Sequence, residues 1–254
     1  MAIVQSERGK IEVFDDFLGR ELPLAFTGAG ASPSTLTAAL LNFHPLVMRG
    51  NSIADDDAGI VPVAEALSGV ARFQSGNADA DACILGTETC LRVDKMAPIV
   101  MEARVELESL DDRMVFMGLC GDFDDDQTDI CTGSGTSLAL TETYLCGFVY
   151  DSGLTVVNWH MPYKGGTTTG TTTATEIASG VTPVITEFDI LRLEVDNSGT
   201  ARWFINGVLK QTVEGACSTS AVMSAMIGTI ATTSANATLD VDYLYISANR
   251  DWTV

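Results

Sequence analysis

From about residue 60 onward, polar and apolar positions alternate with a period of two. Met101, Ala103, Val105 and Leu107 are interleaved with Glu102, Arg104, Glu106 and Glu108. That spacing predicts a strand with one buried and one wet face, because successive side chains of a strand point to opposite sides. Asp111-Asp112 supplies a turn. Arg113-Met-Val-Phe-Met-Gly-Leu-Cys120 then returns as an apolar run, the pattern of a central strand covered on both faces. Tyr144 to Tyr150 and Leu154 to His160 predict a further hairpin about Asp151-Ser-Gly153.

The last third reads as one unit. Phe188 to Val195, Thr200 to Ile205 and Val208 to Val213 are strands separated by Asp196-Asn-Ser-Gly199 and Asn206-Gly207, and Thr238 to Ile246 closes the series. Asn-Gly between two apolar runs is the strongest short hairpin signal in the chain. Gly121 to Thr143 predicts a long loop, and the Thr/Gly run Thr167 to Thr175 an exposed one. No segment keeps a helical period beyond a turn or two. Regular strand spacing with Gly-rich turns predicts an all-β sandwich or jelly roll.

Residues 1–50 lack this alternation. Phe14-Asp-Asp-Phe-Leu-Gly19 sets aromatic anchors around an acidic pair, and Gly, Ala, Ser and Thr dominate from Thr27 to Ala39. The expectation is an irregular N-terminal arm, residues 1–50, followed by a single jelly-roll domain, residues 51–254. Phe14, Phe17 and Leu18 are the side chains by which such an arm would grip a partner.

Composition narrows the function classes. The 254 residues are 46% hydrophobic, enough for a sizeable core, and carry 34 acidic against 14 basic side chains, a net charge of −20. Such a surface repels phosphate backbones and anionic membranes, so neither nucleic acid nor membrane is an expected partner. It suits calcium or a basic protein surface. The start of the chain lacks a basic region followed by an apolar run, and no stretch of about 18 apolar residues suggests a membrane span, so folding in a cytoplasm is expected. Six cysteines match no zinc or redox spacing. Cys120 and Cys146 sit in apolar runs as buried thiols, whereas Cys83 and Cys90 flank Ile-Leu-Gly-Thr-Glu-Thr and could meet as a disulfide across a turn.

Leu191-Arg-Leu-Glu-Val195, Asn197-Ser-Gly199, Phe204-Ile-Asn-Gly-Val208 and Val241-Asp-Tyr-Leu-Tyr-Ile246 resemble the concanavalin A-like, laminin-G-like jelly roll. A wider series resembles phage virion structural proteins built on that fold. Its landmarks are Asp15-Asp-Phe-Leu-Gly19, Met101-Glu-Ala-Arg-Val-Glu-Leu107, Gly147-Phe-Val-Tyr-Asp151 with Asn158-Trp159, the late strand unit, and Val241 to Arg250. The resemblance implies a capsid decoration or cement protein of the virion. Its partners would be a major capsid protein and further copies of itself, a homotrimer by preference.

Candidate chemistry is sparse. Glucan hydrolases on this fold carry Glu-x-Asp-x-x-Glu on a strand; here Glu187-Phe-Asp-Ile-Leu-Arg192 places Arg192 where the acid/base is required. No enzyme activity is therefore expected. Asp122, Asp124 and Asp126, with Asp125 and Asp129, form the densest acidic loop and the candidate calcium ligands. The EF-hand register fails, since Gln127 and Gly133 fall at its sixth and twelfth positions. Asp55-Asp-Asp57 reads the same way more weakly. His44 and His160 are the two histidines, and no Ser-His-Asp arrangement can be argued from them. Trp159 and Tyr163, if exposed, are the aromatics that a lectin-like module would stack on sugar, the alternative to the particle role; the strand period at Trp159 favours an anchor in the core or a loop instead. Trp203 and Trp252 are ambiguous in the same way.

Overall fold

The alternating segments fold into two antiparallel sheets packed face to face, in a computed structural model that describes residues 3–5, 9–18, 46–53, 57–63, 66, 69–125 and 127–251. Strands are numbered in chain order. The first sheet runs β1 (Ile3–Gln5), β2 (Lys10–Asp15), β18 (Thr238–Asn249), β8 (Ile99–Glu106), β14 (Phe188–Val195), β15 (Ala201–Ile205) and β16 (Val208–Val213). β5 (Ala71–Gln74) pairs with the first residues of β18, and β4 (Gly59–Pro62) pairs with β5. The second sheet runs β13 (Tyr163–Lys164), β12 (Leu145–Asp151), β9 (Arg113–Cys120), β17 (Val222–Ala231), β6 (Ala82–Gly86) and β3 (Val47–Arg49), with β7 (Leu91–Arg92) on the start of β17. β10 (Cys131–Ser134) and β11 (Ser137–Leu140) form a separate hairpin. The one helix among the described residues is a single turn, α1 (Val93–Met96).

Period two explains the core. Met101, Ala103 and Val105 of β8 and Leu191, Leu193 and Val195 of β14 meet Val115, Met117 and Leu119 of β9 and Phe148 of β12 between the sheets. β9 is buried at all eight positions, because its other parity, Met114, Phe116 and Cys120, enters a second apolar cluster on the outside of the second sheet. Ile84, Val149, Met226 and Ile230 share that outer cluster, beneath Phe123, Ile130, Leu138, Leu154 and Ile177. The Asn206-Gly207 hairpin forms as expected. Both residues have positive φ, 52° and 75°, the mirror-image turn that matches strand twist.

Four expectations need correction. Gly121 to Thr143 is more than a loop: Ile130, Cys131 and Leu138 are buried in the outer cluster, and their apolar spacing draws the segment into the β10–β11 hairpin. Leu154 to His160 is not a strand beside Tyr144 to Tyr150. The Asp151 carboxylate accepts the N–H groups of Gly153 and Gly133, at 2.7 and 2.6 Å, which turns the chain toward β10 and leaves only isolated bridges at Leu154 and His160. The chain before residue 50 is not simply an arm, since β1 and β2 extend the first sheet and β3 edges the second. Residues 19–45, including Thr27 to Ala39 and His44, lie outside the described residues. Finally, Cys83 and Cys90 are both free thiols: Cys83 is buried and donates to the Gly59 carbonyl, whereas Cys90 is exposed. Cys120 and Cys146 are buried thiols, as their apolar runs predict.

Candidate functional site

The outer face of the first sheet carries a network of ion pairs. On β8, β14 and β18 the inward parity is apolar, so Glu102, Arg104, Glu106, Arg192, Glu194, Tyr243 and Tyr245 point away from the core. Arg192 bridges Glu102 on the neighbouring strand at 2.9 Å and Glu194 on its own at 2.7 Å. Tyr243 donates to Glu102 at 2.8 Å, and Tyr245 donates to Glu12 at 3.3 Å. Burial, and then the Glu102 carboxylate, push the Tyr243 phenol pKa up.

A β-bulge shapes one end of this face. The β18–β8 register shifts between Val241 and Tyr243, which inserts Asp242 as an extra residue; Asp240 meets Arg72 and Asp242 meets Arg104. Arg72 on β5 holds Asp240 by two parallel bonds of 2.8 Å and also reaches Glu108. The Asp240 hydrogen bonds come first in holding the Arg72 guanidinium above its ordinary pKa. Arg104 pairs with Asp242 and lies 3.9 Å over the ring of Phe188. These groups border a cleft of about 590 Å³ whose apolar wall is Val63, Ala66 and Val70.

A second cleft, of about 620 Å³, opens between loops around Asp79, Asp111, Asp112, Asp129 and Asp151. Asp151 is buried, and burial raises its pKa even against its two backbone N–H partners. Burial and the nearby charge of Asp79 raise Asp129.

The residues singled out in the sequence fall elsewhere. Trp159 is 1% exposed, packs edge-on against Tyr150 and donates its indole N–H to Asp189 at 2.8 Å. Tyr163 is buried against Trp203. Neither ring offers a face to a sugar, because both sit on the inward parity between the sheets. Phe17 is buried edge-on against Phe73, and Phe14 packs on Tyr243, so of the three arm residues only Leu18, 64% exposed, faces solvent. Asp122 and Asp124 are exposed, Asp125 pairs with Arg49 at 3.4 Å, and Asp126 lies outside the described residues, as do Asp55, Asp56 and Trp252. No three acidic, histidine or cysteine side chains among the described residues come together as a metal site. Asp189 accepts from Trp159 and Asn206, whereas Arg192 lies on the opposite parity of β14, whose register runs without a shift. The two positions therefore do not converge on one site.

The Asp240–Asp242 cleft was missed from sequence, although it left a signal. In Leu239-Asp-Val-Asp-Tyr-Leu-Tyr-Ile246 the apolar parity switches from odd to even numbers after Val241, and that switch is the bulge.

The overall architecture is shared with solved structures. A protein of unknown function from Shewanella oneidensis MR-1 superposes with a TM-score of 0.62 at 11% identity, over 99% of this chain and 92% of that one. The fold is a concanavalin A-like jelly roll. The cellulose induced protein Cip1 matches with a TM-score of 0.52 at 13% identity, over 92% of this chain and 95% of its own. An endo-β-1,4-glucuronan lyase from the fungus Trichoderma reesei matches with 0.50 at 8% identity, over 78% and 93%. At these identities the shared property is the fold. No family model matches the chain, and no curated protein matches it by sequence. Among the described residues no helix is long and apolar enough to cross a membrane.

Proposed function

We propose that the protein is a non-catalytic structural component of a bacteriophage particle, a capsid decoration or cement-type protein that joins neighbouring subunits through its outer surfaces. One observation carries the non-catalytic part. The positions that could have done chemistry serve the scaffold: Trp159 and Tyr163 fill the core, Asp189 orients Trp159, and Arg192 is tied into an ion-pair ladder. The particle assignment is supported by the chain-long order of landmarks resembling virion proteins. Adhesion would act by burying surface that only the folded, assembled state buries, which raises particle stability by mass action. The partners are a major capsid protein and other copies of this chain, arranged as a trimer. Mass spectrometry and cryo-EM of purified virions test this. The protein is expected at stoichiometric copy number on intact particles, and its absence from them would sink the assignment.

The second reading is a carbohydrate-binding adhesion module. It is favoured by the loop cleft, where Thr132, Ser152, Thr232 and Thr233 lie beside aspartates, a donor and acceptor set that suits sugar hydroxyls. A glycan array with and without calcium decides it, and silence at millimolar glycan removes it.

A further inference from the structure

The structure assigns a ligand to the cleft on the outer face of the first sheet: we propose that it binds an organic cation on an apolar stem, with Glu106 as the counter-charge. A lysine or arginine side chain of a partner, or a free alkylamine, presents that chemistry. The inference does not depend on the particle reading.

The argument begins with charge. Arg72 and Arg104 are the two cations at the cleft, and both are already satisfied. Arg72 holds Asp240 through two bonds and Glu108 through a third; Arg104 is held by Asp242 and stacked on Phe188. Glu106 is left over. Strand pairing sets it beside Phe188 on one side and Asp240 on the other, and no hydrogen bond or ion pair reaches its carboxylate among the described residues. Burial raises its pKa, and the negative charges of Asp240 and Glu108 add to that rise against the pull of Arg72 and Arg104. Two guanidinium charges thus face four carboxylates, Glu106, Glu108, Asp240 and Asp242, and the site is short of positive charge.

Shape agrees. The cleft of about 590 Å³ lies within the usual range of about 300–1,000 Å³ for small-molecule sites. Val63, Ala66 and Val70 line it and would hold an aliphatic stem while the cationic head meets Glu106. An anion would find no free guanidinium. A neutral sugar would find the ring of Phe188 already covered by Arg104.

The test is isothermal titration and amide NMR of the full chain with agmatine and cadaverine, set against a neutral alcohol and a dicarboxylate of similar length. The cations are expected to bind at millimolar strength with shifts at Val70, Glu106 and Phe188. Glu106→Gln, which keeps the shape, should weaken them at least about tenfold, the loss of one charge pair. Binding near pH 5 should release protons, because the entering cation restores the ionised form of Glu106. Equal binding by Glu106→Gln, preference for the dicarboxylate, or no shift at the cleft overturns the proposal. A peptide with one arginine between apolar residues separates the sources: binding at least tenfold tighter than agmatine points to a protein partner, and equal binding to a small amine. Failure of cation binding would leave a virion location untouched.

Discussion

The two outer faces of the sandwich solve the same problem in opposite ways. On the second sheet, Met114, Phe116, Val149, Met226 and Ile230 point outward and are apolar, and Phe123, Ile130, Leu138, Leu154 and Ile177 close over them as a second core. On the first sheet, Glu102, Arg104, Arg192 and Tyr243 point outward and stay wet, satisfied by one another. Strand geometry is common to both, so the difference lies in side-chain choice at one parity. A face closed by its own loops meets other molecules through those loops and the cleft between them. The face closed only by ion pairs presents its strands directly, and the cleft at Glu106 lies on it.

The comparison breaks most sharply if its apolar member is cut. Phe116→Ala should destabilise the protein by about 3–5 kcal/mol, the usual cost of emptying a packed aromatic site. Tyr245→Ala, on the half-buried outer face of the first sheet, should cost about 1 kcal/mol or less. Urea denaturation of both variants measures the gap. Equal losses would mean that the outer cluster is a loose cover rather than a second core.

The next effect concerns the pin that holds that cover. Asp151 accepts two backbone N–H groups, so Asp151→Ala strands both donors and should cost about 1–3 kcal/mol. Hydrogen exchange should quicken at Gly133 and Gly153 before it quickens in β8. Asp129→Asn, at an exposed neighbour, should leave both readouts unchanged.

His160 then tests the closed face by pH. It is fully buried, neither ring nitrogen has a hydrogen-bond partner among the described residues, and it bridges Val149, a member of the outer cluster. Burial lowers its pKa, against a smaller opposing pull from the backbone of Val149 and Asn158. The folded state thus resists a proton that the unfolded chain accepts below about pH 6.5. His160 contributes its full stability above that pH and loses it as the pH falls further, by up to about 1.4 kcal/mol per unit until the folded pKa is reached. Carboxylates with raised pKa values work the other way: Glu106, Asp129, Glu142 and Asp151 gain stability on acidification. The informative quantity is therefore the difference between wild type and His160→Leu. The wild type should lose more stability between pH 7 and 5, and parallel curves would show that the imidazole is not held neutral.

What was legible in the sequence follows the same division. Alternation made β8, β14 and β15 readable, and β18 from Tyr243 onward, because one face of each is wet. The unbroken run of β9 declared two buried faces. The material that covers the second face was not readable. Ile130, Leu138, Leu154 and Ile177 are isolated apolar residues among Gly, Ser, Thr and Asp, with no period to mark them. The strand period already favoured an anchoring role for Trp159, and both Trp159 and Tyr163 lie in the inner core. β17, in the centre of the second sheet, is the apolar run Val222–Ala231, legible by the same rule as β9.

The smallest expected effect sharpens the open face. Arg192 and Glu102 meet at 2.9 Å with roughly a third and a quarter of their side chains exposed, at 34% and 23%. Water screens such a pair, so a double-mutant cycle of Arg192→Ala and Glu102→Ala should give a coupling of about 0.2–1 kcal/mol, falling with salt. Glu102 also receives the Tyr243 hydroxyl, so a third arm with Tyr243→Phe separates the phenol from the guanidinium. The cycle also reports on assembly. If this face is covered by a partner, both charges lose water and the same pair becomes costly to break from one side. A coupling well above 1 kcal/mol that survives high salt and grows with protein concentration would place the ladder inside an interface between copies. A small, salt-sensitive coupling at every concentration would keep the face in solvent in the isolated protein, where a partner of different sequence must reach it.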